Sequence, residues 1–339
     1  MSEQETLDRL RDWDKAEMIY RDAYRMRHGQ LSQEELEKQY ADNPRILNYA
    51  LYPDSFLDTL PEERVITEGR HTAVSKHPRY LTYLFHTHVF FEMTYVVEGT
   101  CTQFFDNASQ EMKPGDFCIL SPETRHYIYD FNEAIVVNIL IRSSTFMDIF
   151  HGLMRQNTKI SQFFAGNLYS RKKLRYMMFH AGDDAEIRRL ILAMYDEEQR
   201  NDAYSDNIIV NLISIVFSQL LRRHSADMET PRLRRDGGDR TDELLNYIIE
   251  HYREVTLQDL ADHFHFSRQY CSKLILELTG YSFSDLRTEI RVGQAEELLR
   301  TTTMSIEAVS EYLGYENPET FIRAFKRLRH MTPGAYRRQ

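Results

Sequence analysis

Cysteine is scarce in this sequence. Only Cys101, Cys118 and Cys271 occur among its 339 residues, and no two of them have C-x-x-C spacing. Three cysteines are too few for a disulfide framework, and their scarcity fits a reducing compartment. The residues that follow Met1 are acidic and polar, so no secretory signal is expected. The sequence therefore predicts a cytoplasmic protein.

Long hydrophobic runs are absent as well. The longest extends from Ile208 to Leu221 and is interrupted by Asn211 and Ser214. A helix needs about 20 predominantly apolar residues to cross a bilayer. We therefore expect no membrane-spanning segment and no membrane partner.

An excess of positive charge is also missing, because the formal net charge is -10. The charge is unevenly distributed. From Arg240 onward 13 Lys and Arg stand against 15 Asp and Glu, so most of the negative charge lies upstream. Acidic residues do not occur after Glu319, where basic residues cluster. Since the local field governs the approach of phosphates, the C-terminal end remains compatible with nucleic acid.

Short β-rich runs characterise residues 62–142. Turn signals such as Glu98-Gly99 and Pro114-Gly115 separate them. The runs are residues 80–85, 90–97, 100–105, 117–120, 126–129 and 134–141. Many short strands at regular spacing predict a β-barrel or jelly roll.

Residues 241–339 show the pattern of two helix-turn-helix units joined by one long helix. In the first unit, Thr256 and Ser267 are predicted to cap two short helices with apolar inner faces. In the second unit, Ser305 and Asn317 occupy the corresponding positions. Because the pattern occurs twice, it indicates a helix-turn-helix domain more strongly than either unit alone.

This part of the chain resembles the DNA-binding domain of the AraC/XylS family of bacterial transcription regulators. The resemblance is carried by R-V-G-Q-A-E-E-L-L at 291–299, S-I at 305–306, G-Y-E-N-P-E-T-F at 314–321, F-K-R at 325–327, T-P at 332–333 and Y-R-R at 336–338. It implies recognition helices at residues 267–278 and 317–328. Leu276 departs from the family, which often has lysine there, and His330 stands where glycine is common.

Outward polar side chains on these two helices are expected to contact DNA. They are Arg268, Gln269, Ser272, Lys273, Glu319, Thr320, Arg323, Lys326 and Arg327. Arg can form paired hydrogen bonds with guanine, and Gln can do so with adenine. Glu can accept a hydrogen bond from the amino group of cytosine. We expect Lys326 and Arg327 to contact phosphates. The alternative is that these helices only pack in a core and expose a solvated charged face. This alternative explains a single helix-turn-helix pattern better than two in tandem.

A second group of residues lies inside the predicted barrel and consists of His86, His88, Glu92 and His126. The spacing H-x-H-x3-E-x6-G, followed by Pro114-Gly115 and His126, is similar to the two cupin motifs. Alternate residues of a strand share a face, so the first three are expected to point into the barrel. The resemblance implies a divalent metal, and imidazole and carboxylate groups suit iron, manganese or zinc.

Several interpretations of this group remain open. The four residues can form an effector pocket without catalysis, and a sugar or sugar derivative is the family-level expectation for the effector. A divalent metal can support that pocket. The alternative function is a metal-dependent cupin enzyme, or a metal or redox sensor, fused to a DNA-binding domain. Hydrogen bonding of these side chains to the barrel backbone is the structural alternative.

Two further helices are predicted at residues 184–200 and 205–224. The second is apolar over so much of its surface that it must bury two sides, which fits a homodimer or a helix enclosed within one subunit. The predicted fold class is α+β, with an N-terminal cupin-like β-barrel and an all-α C-terminal domain. The predicted segments are a helical N-terminal arm (1–61), the cupin-like effector-binding domain (62–182), a helical dimerisation or packing segment (183–224), a linker (225–240) and the DNA-binding domain with two helix-turn-helix motifs (241–339).

Together these features predict a transcription regulator rather than an enzyme. A small-molecule effector in the cupin-like pocket would control its binding to DNA. The expected partners are a double-stranded DNA operator, the effector, a second copy of the chain and RNA polymerase.

Overall fold

The structure is a computed structural model that describes residues 2–52, 59–81, 85–106, 108–129, 133–150, 176–226, 228–229, 244–245 and 247–338. The described residues form two compact units. One contains the residues up to 149 together with 176–229, and the other contains those from 244 onward.

The first unit contains helices before and after its strands. The helices are α1 (Glu3–Arg11), α2 (Lys15–Arg27), α3 (Gln33–Gln39), α4 (Pro44–Leu51), α5 (Glu62–Val65), α6 (Ser143–Phe150), α7 (Ala185–Arg200) and α8 (Ser205–His224). The strands are β1 (Thr59–Leu60), β2 (Thr72–Lys76), β3 (Thr87–His88), β4 (Phe91–Glu98), β5 (Cys101–Phe105), β6 (Ala108–Met112), β7 (Asp116–Leu120), β8 (His126–Tyr129), β9 (Ile135–Ile141), β10 (Tyr176–His180) and β11 (Met228–Glu229).

The strands form one large and two small sheets. The large sheet has the order β11-β10-β7-β4-β9-β2, and a three-stranded sheet has the order β6-β5-β8. All neighbouring strands in these two sheets are antiparallel, whereas β1 and β3 pair in parallel. The outer face of the large sheet carries Tyr95 and Phe117, and Phe117 contacts Phe217 of α8 edge to face. The opposite face carries Glu92 and, by alternation, Thr94.

A buried ion pair attaches the N-terminal helices to the strands. Glu17 of α2 is fully buried, and its carboxylate accepts hydrogen bonds from the guanidinium of Arg79 and from Lys76. The Arg79 guanidinium also lies over the ring of Trp13, 3.9 Å from its centroid. The sequence predicted a helical arm over residues 1–61. The structure differs at its end, where β1 pairs with β3, the strand that contains His88.

One strand prediction needs correction, and several strands were missed. Tyr80, predicted to begin a strand, lies in a turn with φ 60°, and residues 82–84 lie outside the described part of the chain. Strands β2, β6 and β10 were not predicted. The sequence A-S-Q-E-M of β6 is polar and largely exposed, so it lacks the apolar alternation that indicates a strand.

The second unit is helical. Its helices are α9 (Leu257–Phe264), α10 (Arg268–Thr279), α11 (Phe283–Thr301), α12 (Ile306–Tyr312), α13 (Pro318–Arg329) and α14 (Pro333–Tyr336). The predicted caps all accept a backbone hydrogen bond in the first turn: Thr256, Ser267, Ser305 and Asn317. Side chains from α9 to α13 meet in one hydrophobic core. The predicted α+β class, with a sheet domain and a helical C-terminal domain, is confirmed.

Tyr270 of α10 is only partly packed in the helical unit. It is 49% exposed, although its ring contacts Phe266.

No helix in the described ranges is long and apolar enough to cross a membrane.

Candidate functional site

A cavity of about 260 Å³ lies between the sheets of the first unit. The polar part of its wall consists of Ser75, His77, His86, Glu92, His126 and Asn138. The remaining wall is mainly apolar and includes Tyr49, Leu60, Val65, Leu81, Phe90, Ile128 and Leu140. Helix α4 and strand β1 therefore supply part of the wall through Tyr49 and Leu60.

The four predicted pocket residues come together around the carboxylate of Glu92. Its Oε2 atom is 3.6 Å from Nε2 of His126 and 3.4 Å from Nε2 of His88. The rings of His86 and His126 have their centroids 4.5 Å apart. One ligand-capable atom each of His86, Glu92 and His126 lies within 4.8 Å of the other two.

The local backbone differs from the continuous strand expected from His86 to Glu92. Strand β3 ends at His88, residues 89–90 bend, and β4 begins at Phe91. His88 is not among the residues that line the cavity. Its side chain is fully buried, and its Nδ1 lies 2.6 Å from the carbonyl oxygen of Phe90. His86 is held by a reciprocal pair of backbone hydrogen bonds with His126.

Burial and mutual contact set the charges in this group. Burial lowers the pKa of His88 to about 3 and that of His77 to about 4, although the charge of Glu92 opposes both shifts. Burial works against ionisation of Glu92, yet the close histidines, led by His126, lower its pKa to about 2. At neutral pH the cavity therefore presents a carboxylate and the neutral imidazole of His77.

Sequence reasoning missed His77 and Asn138. His77 follows β2, and Asn138 lies in β9, the neighbouring strand, with its Nδ2 atom 3.5 Å from Nδ1 of His77. Neither residue belongs to a cupin motif. The available signal was one amide within the otherwise apolar sequence I-V-V-N-I-L-I of β9.

The residue types at this site suit a divalent transition metal. Two imidazoles and one carboxylate form a donor set that iron, manganese and zinc accept. His86, Glu92 and His126 are the residues that would hold the ion. His88, whose Nε2 lies 3.4 Å from Oε2 of Glu92, would lie next to this donor set.

The predicted DNA contacts lie on two helices of the second unit. On α10, Arg268, Gln269 and Lys273 are exposed, and Ser272 is half-buried. On α13 all five predicted residues are exposed: Glu319, Thr320, Arg323, Lys326 and Arg327. Leu276 is also exposed, at 52%.

Other basic residues of this unit have structural contacts. Arg329 is paired with Glu289 and Glu296 at 2.8–2.9 Å. Arg291 is buried, donates hydrogen bonds to the carbonyls of Tyr252 and Arg253, and lies over the ring of Tyr315. Their charges are therefore used within the unit, and the basic surface is narrower than the sequence suggests.

Two family models match this chain. The model described as an AraC-like ligand binding domain matches residues 71–164. The model described as a helix-turn-helix domain matches residues 260–339.

Several curated proteins are similar to the chain. The HTH-type transcriptional regulator YtdP of Bacillus subtilis is 37% identical over 27% of this chain and 12% of its own length. The raffinose operon transcriptional regulatory protein RafR of Pediococcus pentosaceus is 28% identical over 41% of this chain and 50% of its own length. The HTH-type transcriptional activator RhaS of Escherichia coli O157:H7 is 24% identical over 73% of this chain and 85% of its own length.

The chain thus spans about an eighth of the first of these relatives and half of the second. The relatives are transcriptional regulators. The predicted resemblance is confirmed: the chain combines an AraC-like ligand-binding domain with an AraC-type helix-turn-helix domain, and the relatives RafR and RhaS are regulators of the AraC family.

Proposed function

We propose that this chain is a sequence-specific DNA-binding transcription regulator, and not an enzyme, whose DNA binding is controlled by a small-molecule effector. The observation that carries the proposal is the exposed polar face on each of α10 and α13, within one helical unit. Paired recognition helices of this kind enter successive major grooves about 34 Å apart on one face of the duplex. The operator partner is therefore double-stranded DNA.

The residues on these faces divide into two groups. Arg268, Gln269, Ser272 and Lys273 on α10, with Glu319, Thr320 and Arg323 on α13, are the proposed base readers. Lys326 and Arg327 lie one turn or more further along α13 and are the proposed phosphate contacts. Base contacts carry sequence preference, whereas phosphate contacts carry affinity and salt dependence.

The effector is proposed to bind in the cavity that contains Glu92. Helices α7 and α8 cover the opposite face of the sheet that lines this cavity, and α8 ends at His224. An effector shifts DNA binding only if its affinity differs between two states of the protein. A sugar or sugar derivative is a fitting class, and RafR is named for the raffinose operon.

We further propose that the regulator acts as a homodimer in the cytoplasm, where it meets DNA and RNA polymerase. Tyr204, Ile208 and Ile215 expose apolar surface on one face of α8, at 72%, 40% and 44% exposure. A second copy of α8 would cover this face. This exposed apolar surface, which Asn211 interrupts between Ile208 and Ile215, supports the dimer over a helix that is enclosed within one subunit.

The functional division of the chain is part of the same proposal. It comprises an arm (1–61), an effector-binding domain (62–182), a dimerisation segment (183–224), a linker (225–240) and a DNA-binding domain (241–339). Limited proteolysis tests the division, because cleavage should be concentrated between 225 and 240. Early cleavage within 62–182 would contradict it.

The central experiment measures DNA binding directly. Sequences selected by the purified protein from random duplexes should share a motif that spans two adjacent major grooves. Fluorescence anisotropy should then show tighter binding to this motif than to scrambled DNA. Equal affinity for both would overturn the proposal.

A metal-supported pocket is the second candidate, favoured by the close approach of His86, Glu92 and His126. Elemental analysis of protein purified without chelator should then find about one ion per chain, and His126→Ala should reduce it. A metal content that is the same in both proteins would exclude this site. Turnover by the loaded protein would instead favour the alternative of a metal-dependent cupin enzyme.

A further inference from the structure

Hydrogen-bond acceptors converge at the polar end of the cavity. The Nδ1 atom of His126 lies 3.0 Å from the carbonyl oxygen of Thr124. Because a carbonyl oxygen only accepts, the proton of the neutral imidazole is on Nδ1, and Nε2 is an acceptor. This Nε2 faces Oε2 of Glu92 at 3.6 Å. Two acceptors that both line the cavity therefore face one another.

His88 shows the same arrangement next to the cavity lining. Its Nδ1 lies 2.6 Å from the carbonyl oxygen of Phe90, so its Nε2 is also an acceptor. That Nε2 lies 3.4 Å from Oε2 of Glu92 and has no hydrogen-bond partner in the described part of the chain. His88 therefore leaves the acceptor sites of the Glu92 carboxylate to other donors.

The spacing of the cavity acceptors fits an ammonium nitrogen. One ligand-capable atom each of His86, Glu92 and His126 lies within 4.8 Å of the other two. The centre of an equilateral triangle with such sides is about 2.8 Å from each corner, which is the usual length of a hydrogen bond from nitrogen. A primary ammonium group has three N–H donors. One such group can therefore donate to one carboxylate oxygen and two imidazole nitrogens at once.

The charge of the cavity wall favours a cation as well. Among the described residues that line the cavity, Glu92 supplies the one carboxylate, and none is lysine or arginine. A ligand with a positive charge can pair with this carboxylate, whereas an anion would meet a like charge in a partly desolvated site. The cavity therefore selects against carboxylate and phosphate ligands.

The remaining wall restricts the body of such a ligand. Leu60, Val65, Phe90 and Leu140 line the cavity and belong to one hydrophobic cluster. An apolar wall favours apolar ligand surface, because contact removes both surfaces from water. The cavity volume of about 260 Å³ lies just below the usual range for small-molecule sites. A branched alkyl group or a single aromatic ring is therefore a fitting body.

We propose that the cavity binds a small primary amine with an apolar body, whose ammonium group donates hydrogen bonds to His86, Glu92 and His126. This inference rests on the proposed effector pocket and names the class of its effector. The sugar expected from the family is a competing class, since its hydroxyl groups would lack partners along the apolar wall. A metal ion at the same three residues is the other competitor. Both are outcomes of the tests.

The first test compares matched probes on the full chain after treatment with a chelator. Benzylamine and isoamylamine are compared with their alcohols, with benzoate and isovalerate, and with uncharged hexoses in thermal-shift and calorimetric titrations. At least one amine should bind roughly 10- to 100-fold more tightly than its alcohol, as hydrogen bonds to a charged partner predict. No response to either amine, or tighter binding of an acid or a hexose, would overturn the proposal.

Benzyltrimethylammonium separates hydrogen-bond donation from general attraction to this negatively charged protein. It has the ring and the charge of benzylamine but no N–H donor. We expect it to bind no more tightly than benzyl alcohol. If it binds as tightly as benzylamine, the three acceptors do not recognise an ammonium group, and the proposal fails.

Glu92→Gln tests the proposed contact directly. The substitution retains the shape of the side chain and removes its charge, so amine binding should weaken roughly 10- to 100-fold. Asp116→Asn is the matched control, because Asp116 is also buried and lies 2.8 Å from a histidine, His180, but is not among the lining residues. It should bind amines as the wild-type protein does. Unchanged amine binding by Glu92→Gln would overturn the proposal, and the probe series on the wild-type protein decides the question if this variant does not fold.

Zinc distinguishes direct binding of the amine from coordination of the amine to a metal. The chelator-treated protein should bind the amine without added zinc. Amine binding that appears only after zinc is added would show that a metal holds the ligand, and would overturn the proposal.

These outcomes are separable from those for the proposed function. If a hexose binds and no amine does, the effector pocket stands and this inference fails. If the wild-type protein selects no DNA motif, the proposed regulator function fails, whereas the amine site is still judged from the ligand titrations.

Discussion

Gly314 lies directly against the backbone carbonyl of Arg253. A Cβ atom at Gly314 would come within 2.5 Å of that oxygen, and Gly314 adopts φ 78°. Only glycine accommodates both conditions without strain. The contact joins the turn of the second helix-turn-helix to the segment that precedes the first. Arg291, which donates to the carbonyl of Arg253, reinforces it. The two helix-turn-helix motifs are therefore parts of one compact helical unit, which sets the spacing of their recognition helices.

Gly314→Ala should accordingly destabilise the helical unit. A left-handed backbone at a non-glycine residue costs about 1–3 kcal/mol, and displacement of the Arg253 carbonyl adds to this cost. Thermal unfolding of the full chain measures the effect. Gly293→Ala in α11 is the control, because its Cβ meets nothing within 4 Å and alanine favours a helix. An equal melting temperature for the two variants would contradict the close-contact argument.

The buried carboxylate of Glu17 should be important for the stability of the sheet unit. Glu17→Gln leaves the guanidinium of Arg79 buried without its charge partner, which typically costs about 3–5 kcal/mol. Urea denaturation should show the loss. Asp42→Asn is the matched acid-to-amide control, because the Lys15–Asp42 pair is exposed. We expect no measurable change for that variant. Similar small effects of both substitutions would show that the Glu17 ion pair is not needed to attach the arm.

Acidification should destabilise the sheet unit through its buried histidines. In the unfolded chain a histidine has a pKa near 6.5, whereas burial lowers the pKa of His77 to about 4 in the fold. Because the unfolded state then binds more protons, the stability present above pH 6.5 is lost as the pH falls towards 4. His77→Gln should flatten this dependence by up to about 1.4 kcal/mol per pH unit. Urea denaturation from pH 8 to 4.5 tests this, and identical slopes for both proteins below pH 6.5 would contradict it.

Two arginines on α13 should affect DNA binding in different ways. Arg323→Ala should cost roughly 1–3 kcal/mol on the selected operator and relax its base preference. Arg327→Ala should weaken binding to all DNA alike and reduce the salt dependence by about one phosphate. Anisotropy titrations at several salt concentrations distinguish them. Equal loss on specific and scrambled DNA for both variants would remove the division into base readers and phosphate contacts.

The first helix-turn-helix should contribute less to the salt dependence than the second. Leu276 is exposed on α10 where the family often has lysine, so it offers no charge to a phosphate. Leu276→Lys should therefore increase the salt dependence by about one phosphate. The same titrations measure this. An unchanged slope would show that this position does not approach the DNA backbone.

Charging the exposed face of α8 should produce monomers. Ile215→Glu places a carboxylate on the same exposed face as Tyr204 and Ile208. Sedimentation velocity at micromolar concentration measures the oligomeric state. Val89→Glu is the control, since Val89 is a similarly exposed apolar residue, at 42%, on another surface. A wild-type monomer, without effector or DNA, would contradict a constitutive dimer.

Features that depend on neighbouring residues could be predicted from the sequence. The caps Thr256, Ser267, Ser305 and Asn317 form their expected hydrogen bonds within the first helical turn. Five of the six predicted strands are present, with ends that differ by a residue or two. Such patterns are readable because a helix cap spans three residues and an inward-facing strand position recurs every second residue.

The tertiary structure alone decided which polar groups meet and which remain unsatisfied. His88 lies 3.4 Å from Glu92 but outside the cavity lining, and β2 and β9 bring His77 and Asn138 to the cavity. The free amide of Gln103 depends on pairing between distant strands. These outcomes follow from sheet register and closure, which are determined by the packing of the whole interior and are therefore not visible in any short stretch of sequence.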